Sequence, residues 1–204
     1  GDPFNVLYNH VACADGYLAT GDIRYAHKAL VAFSRLAVEY AYLATMTQHR
    51  HRNSQSQVER LGQGRFDEGP CLDRAGLTVY GIDQPGYQCA LAEAYDLIWP
   101  DIGKDAEILP FLRTKGFALH THQQLRRFLE ENLMAVWMQA AMDGATASNQ
   151  PYSQWGMARL AEMLNYRRGT EFMDWLFDGG GGMRVFVANG FFRDGAPYES
   201  SGGY

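Results

Sequence analysis

The sequence has little that would mark a membrane protein or a general nucleic-acid-binding protein. It contains no uninterrupted apolar run of the roughly 20 residues that a membrane-spanning helix requires, and no charged-then-apolar segment opens it. Lys and Arg number 18 against 23 Asp and Glu, which gives a net charge of -5. A general nucleic-acid binder needs an excess of basic charge to displace counterions from phosphates. We therefore expect neither a membrane nor a nucleic acid as partner, and any polyanion must meet a local basic patch.

Cysteine is also scarce, and its spacing excludes the common redox and zinc motifs. The chain has three cysteines, Cys13, Cys71 and Cys89, and none of them forms a CxxC pair. Each lies within or beside an apolar segment. We predict small buried side chains at these positions.

Helical periodicity is the main signal that is present. Composition is 47% hydrophobic and 20% charged, which is typical of one soluble domain with a real core. Apolar residues recur at three-to-four spacing and predict helices over 6–20, 23–49, 87–100, 104–115, 121–142, 152–166 and 170–189. The tract DGGGGM at 178–183 should divide the last of them, because consecutive glycines are costly in a helix. Since no strand pattern accompanies these segments, we predict an all-α fold of stacked helical hairpins.

A basic tract, QHRHR at 48–52, opens a long polar loop. His49, Arg50, His51 and Arg52 provide cations that can hold sulfate or carboxylate groups of an acidic ligand. The alternative is a solvated loop without a ligand.

A second polar tract, SNQPYSQW at 148–155, begins a predicted helix. Asn149 and Gln150 lie beside the free amides of this helix start, where a carboxylate is favoured. Simple capping of the helix is the alternative reading of Asn149.

The sequence closes on DGAPYESSGGY at 194–204, which is too polar for a core. Tyr198 and Tyr204 supply hydroxyl groups, and Glu199 supplies an acid. A tyrosine in a cleft can transfer a proton if nearby cations or helix termini lower its pKa. The alternative is that these tyrosines serve packing or lie at the surface.

Four stretches together resemble the heparinase II/III-like polysaccharide lyases and their alginate-lyase relatives. They are YLATGDIRYAHKAL, LAEAYDLIWP, the Asn-led helix start and DGAPYESSGGY, and the last is the most specific. The resemblance implies an incomplete (α/α) toroid over residues 1–204, as a fragment of a longer chain in which a β-sandwich follows. It also implies a secreted or periplasmic protein that takes an acidic polysaccharide or oligosaccharide as substrate. We expect no cofactor and no metal site in this sequence.

The resemblance assigns roles in β-elimination on a uronic-acid glycan. Asn149 matches the family asparagine that neutralises the uronate carboxylate, and Tyr204 matches the tyrosine that acts as general acid and base. Tyr198 takes the aromatic position of the same motif, and Glu199 orients the loop. The family has a histidine where this sequence has Gln150, which cannot accept a proton at neutral pH.

Aromatic residues near loop-to-helix junctions are candidates for stacking on sugar rings. They are Tyr87, Tyr152 and Trp155, whereas Trp99 and Trp137 fall on apolar stripes and are predicted to pack in the core. His120 and His122 have a spacing that suits a metal, but no third ligand is evident nearby, so we predict none.

Two other functions stay open on the sequence alone. Glu199 and Asp194 are carboxylates that a glycoside hydrolase on a similar helical toroid would need. Gln150, in the position of a histidine, favours a non-catalytic glycan-binding protein.

Overall fold

The computed structural model describes residues 3–43, 84–142, 152–164, 167–179, 181–191 and 194. Its α-helices are α1 (Pro3–Thr20), α2 (Ile23–Leu43), α3 (Gln84–Ile98), α4 (Ile108–Thr114), α5 (His122–Leu129), α6 (Ala135–Met142), α7 (Tyr152–Leu164), α8 (Arg167–Asp178) and α9 (Met183–Asn189). A 3-10 helix, Trp99–Lys104, follows α3, and a π-helical turn, Glu130–Met134, joins α5 to α6. The described residues contain no β-strand, so the predicted all-α class is confirmed.

The break between α1 and α2 lies where the sequence predicts it. Gly21 adopts a left-handed φ of 67° and donates its N–H to the Tyr17 carbonyl at 2.8 Å. Asp22 then accepts the N–H of Arg24 at 3.0 Å through Oδ1. A tight turn of two residues therefore makes α1 and α2 a helical hairpin, which packs along its length.

Helix α3 begins earlier than expected. Gln84, Pro85 and Gly86, which precede the predicted helix over 87–100, are its first residues. Proline is tolerated there because a first-turn amide has no partner within the helix. The helix ends at Ile98, and Pro100 lies in the first turn of the 3-10 helix that follows.

The predicted long helix over 121–142 is present but not uniform. Thr121 and Gln124 form a capping box at its start. The π-helical turn at Glu130–Met134 then inserts extra backbone before α6 continues to Met142. Sequence periodicity did not reveal this turn.

The glycine tract divides the last helix, as predicted. The N–H groups of Gly179 and Gly181 both reach the Trp175 carbonyl, at 3.0 and 3.1 Å, and close α8. Gly182 has a φ of 67° and precedes α9, so the chain turns through a conformation that favours glycine.

The core lies along α3, which packs against both α1 and α7. The largest fully buried aromatic side chains are Trp137, Tyr87, Tyr95, Phe33 and Phe172. The burial of Trp137 confirms its predicted core role.

Outside this core, Trp99 contradicts its predicted role. Its side chain is 44% exposed, because it lies beyond the C-terminal end of α3 with the Arg126 guanidinium over its ring.

Among the described helices, none combines the length and apolar character needed to cross a bilayer.

The described cysteines behave as packing residues. Cys89 is buried in α3, and burial, with the nearby Glu93 charge, raises the pKa of its thiol to about 12. Cys13 is half-buried against the core. The position of Cys71 lies outside the described residues.

Candidate functional site

Most residues of the candidate catalytic and binding set lie outside the described residues. This holds for His49, Arg50, His51, Arg52, Asn149, Gln150, Tyr198, Glu199 and Tyr204. The structure does describe the helix that Asn149 and Gln150 precede, and several described residues that pack around its first turns.

The N-terminal ends of α3 and α7 are in direct contact. A Cβ added at Gly156 would lie 2.8 Å from both Cα and Cβ of Pro85 and 2.9 Å from its carbonyl oxygen. A Cβ at Gly86 would collide with the hydroxyl of Tyr152. Gly156 therefore permits a close approach of the α3 backbone, and Gly86 leaves room for the Tyr152 hydroxyl; we call this contact the α3–α7 junction.

At this junction α7 presents an aromatic pair at the surface. The rings of Tyr152 and Trp155 stack with centroids 5.4 Å apart and planes inclined by 20°. Tyr152 is 37% and Trp155 47% exposed. Residues three apart share one face of a helix, so the pair forms a continuous apolar surface beside the entry of the chain into α7.

Gln154 anchors the first turn of α7 from the buried side. Its Nε2 donates to the Gly181 carbonyl at 3.2 Å, which ties α7 to the turn between α8 and α9. Its Oε1 is buried and has no hydrogen-bond partner among the described residues.

Tyr87, predicted to stack on a sugar, is instead fully buried one turn into α3. Its ring meets Trp137 edge-on at a centroid distance of 6.1 Å and His10 at 5.9 Å. The interpretation as a sugar-stacking residue is therefore wrong for Tyr87. The prediction failed because α3 begins at Gln84, so Tyr87 lies within the helix and not at a junction between a loop and a helix.

His10 is a buried titratable group that the sequence did not single out. It is 2% exposed, lies 5.0 Å from the Phe33 ring, and its Nε2 has no hydrogen-bond partner in the described part of the chain. Burial lowers the pKa of His10 from 6.5 to about 4. The imidazole is thus neutral in the folded protein at neutral pH.

We expect replacement of His10 by phenylalanine to remove part of the acid sensitivity of the fold. Below pH 6.5 the unfolded chain binds a proton at His10, while the folded chain does not until about pH 4. The free energy of unfolding should therefore fall through this window as pH falls, by about 3 kcal/mol in total. Urea unfolding of the wild type and of His10→Phe at a series of pH values gives the two free energies of unfolding, and the pH dependence of their difference is the contribution of His10.

The exposed His120 provides the matched control for this comparison. A His120→Gln variant should keep the wild-type dependence of unfolding free energy on pH. If His10→Phe also keeps it, His10 is not the group that titrates.

A polar cluster around Asp105, which the sequence analysis did not predict, joins three elements. The Asp105 side chain, 4% exposed, lies with Oδ2 2.8 Å from Nδ1 of His27. Its Oδ1 accepts the N–H groups of Glu107 and Ile108, both at 3.0 Å. The Asp105 carbonyl accepts Nε2–H of His122 at 2.9 Å. This cluster connects α2, the start of α4 and the start of α5.

The same contacts occupy one of the two histidines whose spacing suits a metal. His122 uses Nε2 in its hydrogen bond with the Asp105 carbonyl, and His120 is exposed. Within the described ranges, no group of three or more His, Cys, Asp or Glu side chains has a geometry that suits a metal ion.

Another polar cluster, around Glu130, surrounds the π-helical turn. Glu130 Oε1 accepts the Tyr95 hydroxyl at 2.8 Å and the Trp99 Nε1–H at 3.4 Å. Burial, together with the Glu130 charge, raises the pKa of Tyr95, so its phenol keeps its proton. Arg126 lies over Trp99, 4.3 Å from the ring centroid, and donates to the Trp99 carbonyl at 3.0 Å. These contacts fix the end of α3 to the π-helical turn.

Sequence patterns gave no sign of the Tyr95 and Glu130 pair, because the two residues are 35 positions apart. Asp105 did carry a local sign, since an acidic residue just before a helix is a common cap.

Comparison of the chain with models of protein families, with curated proteins and with solved structures finds no match.

Proposed function

We propose that the chain is the helical part of a polysaccharide lyase that cleaves a uronic-acid glycan by β-elimination. In this proposal the helical hairpins stack as part of an (α/α) toroid, and the sugar chain lies across one end of it. The proposal rests on the four sequence stretches named above. The observation that supports it best is the exposed pair of Tyr152 and Trp155, which begins two residues after Gln150.

The aromatic pair has the properties of a sugar-binding surface. Sugar rings present an apolar face of C–H groups, which stacks on the face of an aromatic ring with the sugar hydroxyls left in water. A sugar held on Trp155 would lie within a few residues of the start of α7. The positive end of a helix favours a carboxylate there, which is the group that distinguishes a uronate from a neutral sugar.

The reaction needs charge neutralisation and proton transfer. A base removes the proton on the carbon beside the carboxylate, a carbon–carbon double bond forms, and the bond to the glycosidic oxygen breaks. Asn149 would donate a hydrogen bond to the carboxylate as negative charge builds on it. Tyr204 would protonate the departing oxygen, and it would also take the first proton where both lie on one face of the sugar.

The products test the proposal directly. The full-length natural chain is incubated with alginate, with glycosaminoglycans and with a neutral glucan. A lyase leaves an unsaturated uronyl end that absorbs in the near ultraviolet, and only the acidic glycans should give it. New reducing ends without this absorbance would contradict the lyase and favour a glycoside hydrolase that uses Glu199 and Asp194.

We expect Trp155→Ala to weaken substrate binding with little effect on the chemical step. Loss of one stacking face should raise KM by about fivefold and leave kcat within about twofold, by analogy with aromatic pairs. Phe177→Ala is the control, because Phe177 is 41% exposed on α8 and belongs to no part of the proposed site. An unchanged KM in Trp155→Ala would remove the aromatic pair from the site.

One feature favours a second function, that of a non-catalytic glycan-binding protein. Gln150 stands where the resembled lyases have a histidine, and it cannot act as a base at neutral pH. Saturable binding of uronate oligosaccharides by the full-length chain, without any unsaturated product, is the result that would decide for this function.

A further inference from the structure

The pair of His27 and Asp105 fixes the position of a proton on the His27 ring. Asp105 Oδ2 lies 2.8 Å from His27 Nδ1, and Asp105 Oδ1 accepts the N–H groups of Glu107 and Ile108, both at 3.0 Å. A carboxylate has no hydrogen to donate, so in the neutral imidazole the hydrogen lies on Nδ1. Nε2 therefore keeps its lone pair and is a hydrogen-bond acceptor.

The His27 ring is accessible, whereas the carboxylate that orients it is not. The His27 side chain is 25% exposed, and that of Asp105 is 4% exposed. Within the described part of the chain, His27 forms its hydrogen bond with Asp105 through Nδ1 and none through Nε2. The buried carboxylate thus orients a ring that a ligand can reach from solvent.

An apolar groove of about 500 Å³ lies next to His27, between α2 and α4. Val31 lines it from α2, one helical turn after His27 and on the same face of the helix. Phe111 lines it from α4, and its ring meets the His27 ring edge-on at a centroid distance of 5.7 Å. Phe117 adds a second aromatic wall. Apolar cavities with a few oriented polar groups are typical small-molecule sites.

We propose that this groove binds a small phenol, whose ring lies against Val31 and Phe111 and whose hydroxyl donates to Nε2 of His27. An aromatic ring suits walls that contain two phenylalanines, because aromatic rings pack well edge-to-face. The hydroxyl suits Nε2, because it brings a donor to an acceptor that is already oriented. A sugar does not suit the groove, since most of its hydroxyls would lose water without gaining hydrogen bonds. The site is independent of the proposed lyase activity.

Calorimetric titration of the full-length natural chain at about pH 8, where a phenol keeps its proton, tests the proposal. The probes are 4-propylphenol and 4-propylanisole, in which a methyl ether replaces the hydroxyl and cannot donate. We expect one saturable site for the phenol, with a Kd lower than that of the ether by about three- to tenfold, the worth of one hydrogen bond. Equal affinity overturns the proposal, as does the lack of saturable phenol binding. Tighter binding of 4-propylbenzoate, a carboxylate that offers Nε2 no donor, also overturns it.

Asp105→Asn tests the orientation of the imidazole. The N–H groups at the start of α4 need the Asn oxygen, so the Asn amide N–H faces Nδ1 and the imidazole hydrogen moves to Nε2. This variant should lose the preference for the phenol over the ether. His27→Phe, which leaves Asp105 in place, should lose it as well. His120→Gln is the control, since His120 is an exposed histidine that does not line the groove, and it should keep the preference. A preference that survives in Asp105→Asn or in His27→Phe, with an unchanged circular dichroism spectrum, overturns the proposal.

Discussion

Replacement of Tyr204 by phenylalanine is expected to abolish the near-ultraviolet absorbance of the products. In the proposed elimination the departing oxygen needs a proton, and Tyr204 is the group that supplies it. Phenylalanine keeps the ring and removes only the hydroxyl, so substrate binding should stay close to that of the wild type. Loss of a general acid and base costs about a hundred- to ten-thousandfold in rate. The measurement is the initial rate of absorbance increase with an acidic glycan at saturating concentration.

The same terminal tract offers its own control. Tyr198→Phe removes a second phenol only six positions away, in the aromatic position of the motif, and should reduce the rate much less. Equal loss in both variants would indicate damage to the tract rather than to one proton donor. A Tyr204→Phe enzyme that keeps its rate would mean that another group transfers the proton. Because Gln150 cannot do so, the assignment of the catalytic residues would then have to be rebuilt.

The sequence predicted the helices well because their signals are local. The turn at Gly21 and Asp22, the cap at Thr121 and the glycine tract before Met183 each act through a few neighbouring residues. Local signals failed at Pro85, where a proline reads as a break although it is compatible with the first turn of a helix. They also missed the π-helical turn, in which Glu130 bonds to Tyr95, a residue distant in the sequence.

The candidate site was harder to predict, because exposure depends on long-range packing. Tyr87 and Tyr152 both lie near the start of a helix. Tyr87 faces Trp137 and His10 inside the core, whereas Tyr152 faces outward from α7. No pattern within the first turn of either helix distinguishes these outcomes. The roles of Asn149 and Tyr204 stay predictions, since both lie outside the described residues.

Close packing at the α3–α7 junction links fold and proposed function. Gly156 has no side chain to separate α7 from the backbone at Pro85, and Gly86 leaves room for the hydroxyl of Tyr152, which stacks on Trp155. The aromatic surface is therefore built on a helix packed against α3 rather than on a loop. Such placement reduces the entropy that binding would otherwise have to offset.

Replacement of Asp105 by alanine is expected to lower the free energy of unfolding by about 3 kcal/mol. The carboxylate is 4% exposed and accepts hydrogen bonds from the N–H groups of Glu107 and Ile108, while it pairs with His27. Alanine removes all of these at once and leaves the N–H of buried Ile108 without an acceptor in a place that water does not easily reach. Urea unfolding followed by circular dichroism measures the change.

Three further variants separate the contributions to this loss. Asp105→Asn keeps one acceptor oxygen for the N–H groups at the start of α4 but removes the charge that faces His27, so we expect a smaller loss of about 1 kcal/mol. Glu107→Ala, at an exposed neighbouring position, should change stability by less than about 0.5 kcal/mol. In a double-mutant cycle, His27→Ala should cost less in the Asp105→Ala background than in the wild type, because the pair is already broken and only the contact with Phe111 is left to lose. Full additivity of the two losses would contradict a direct interaction, and α2 would then be held to α4 by apolar contacts such as that between His27 and Phe111.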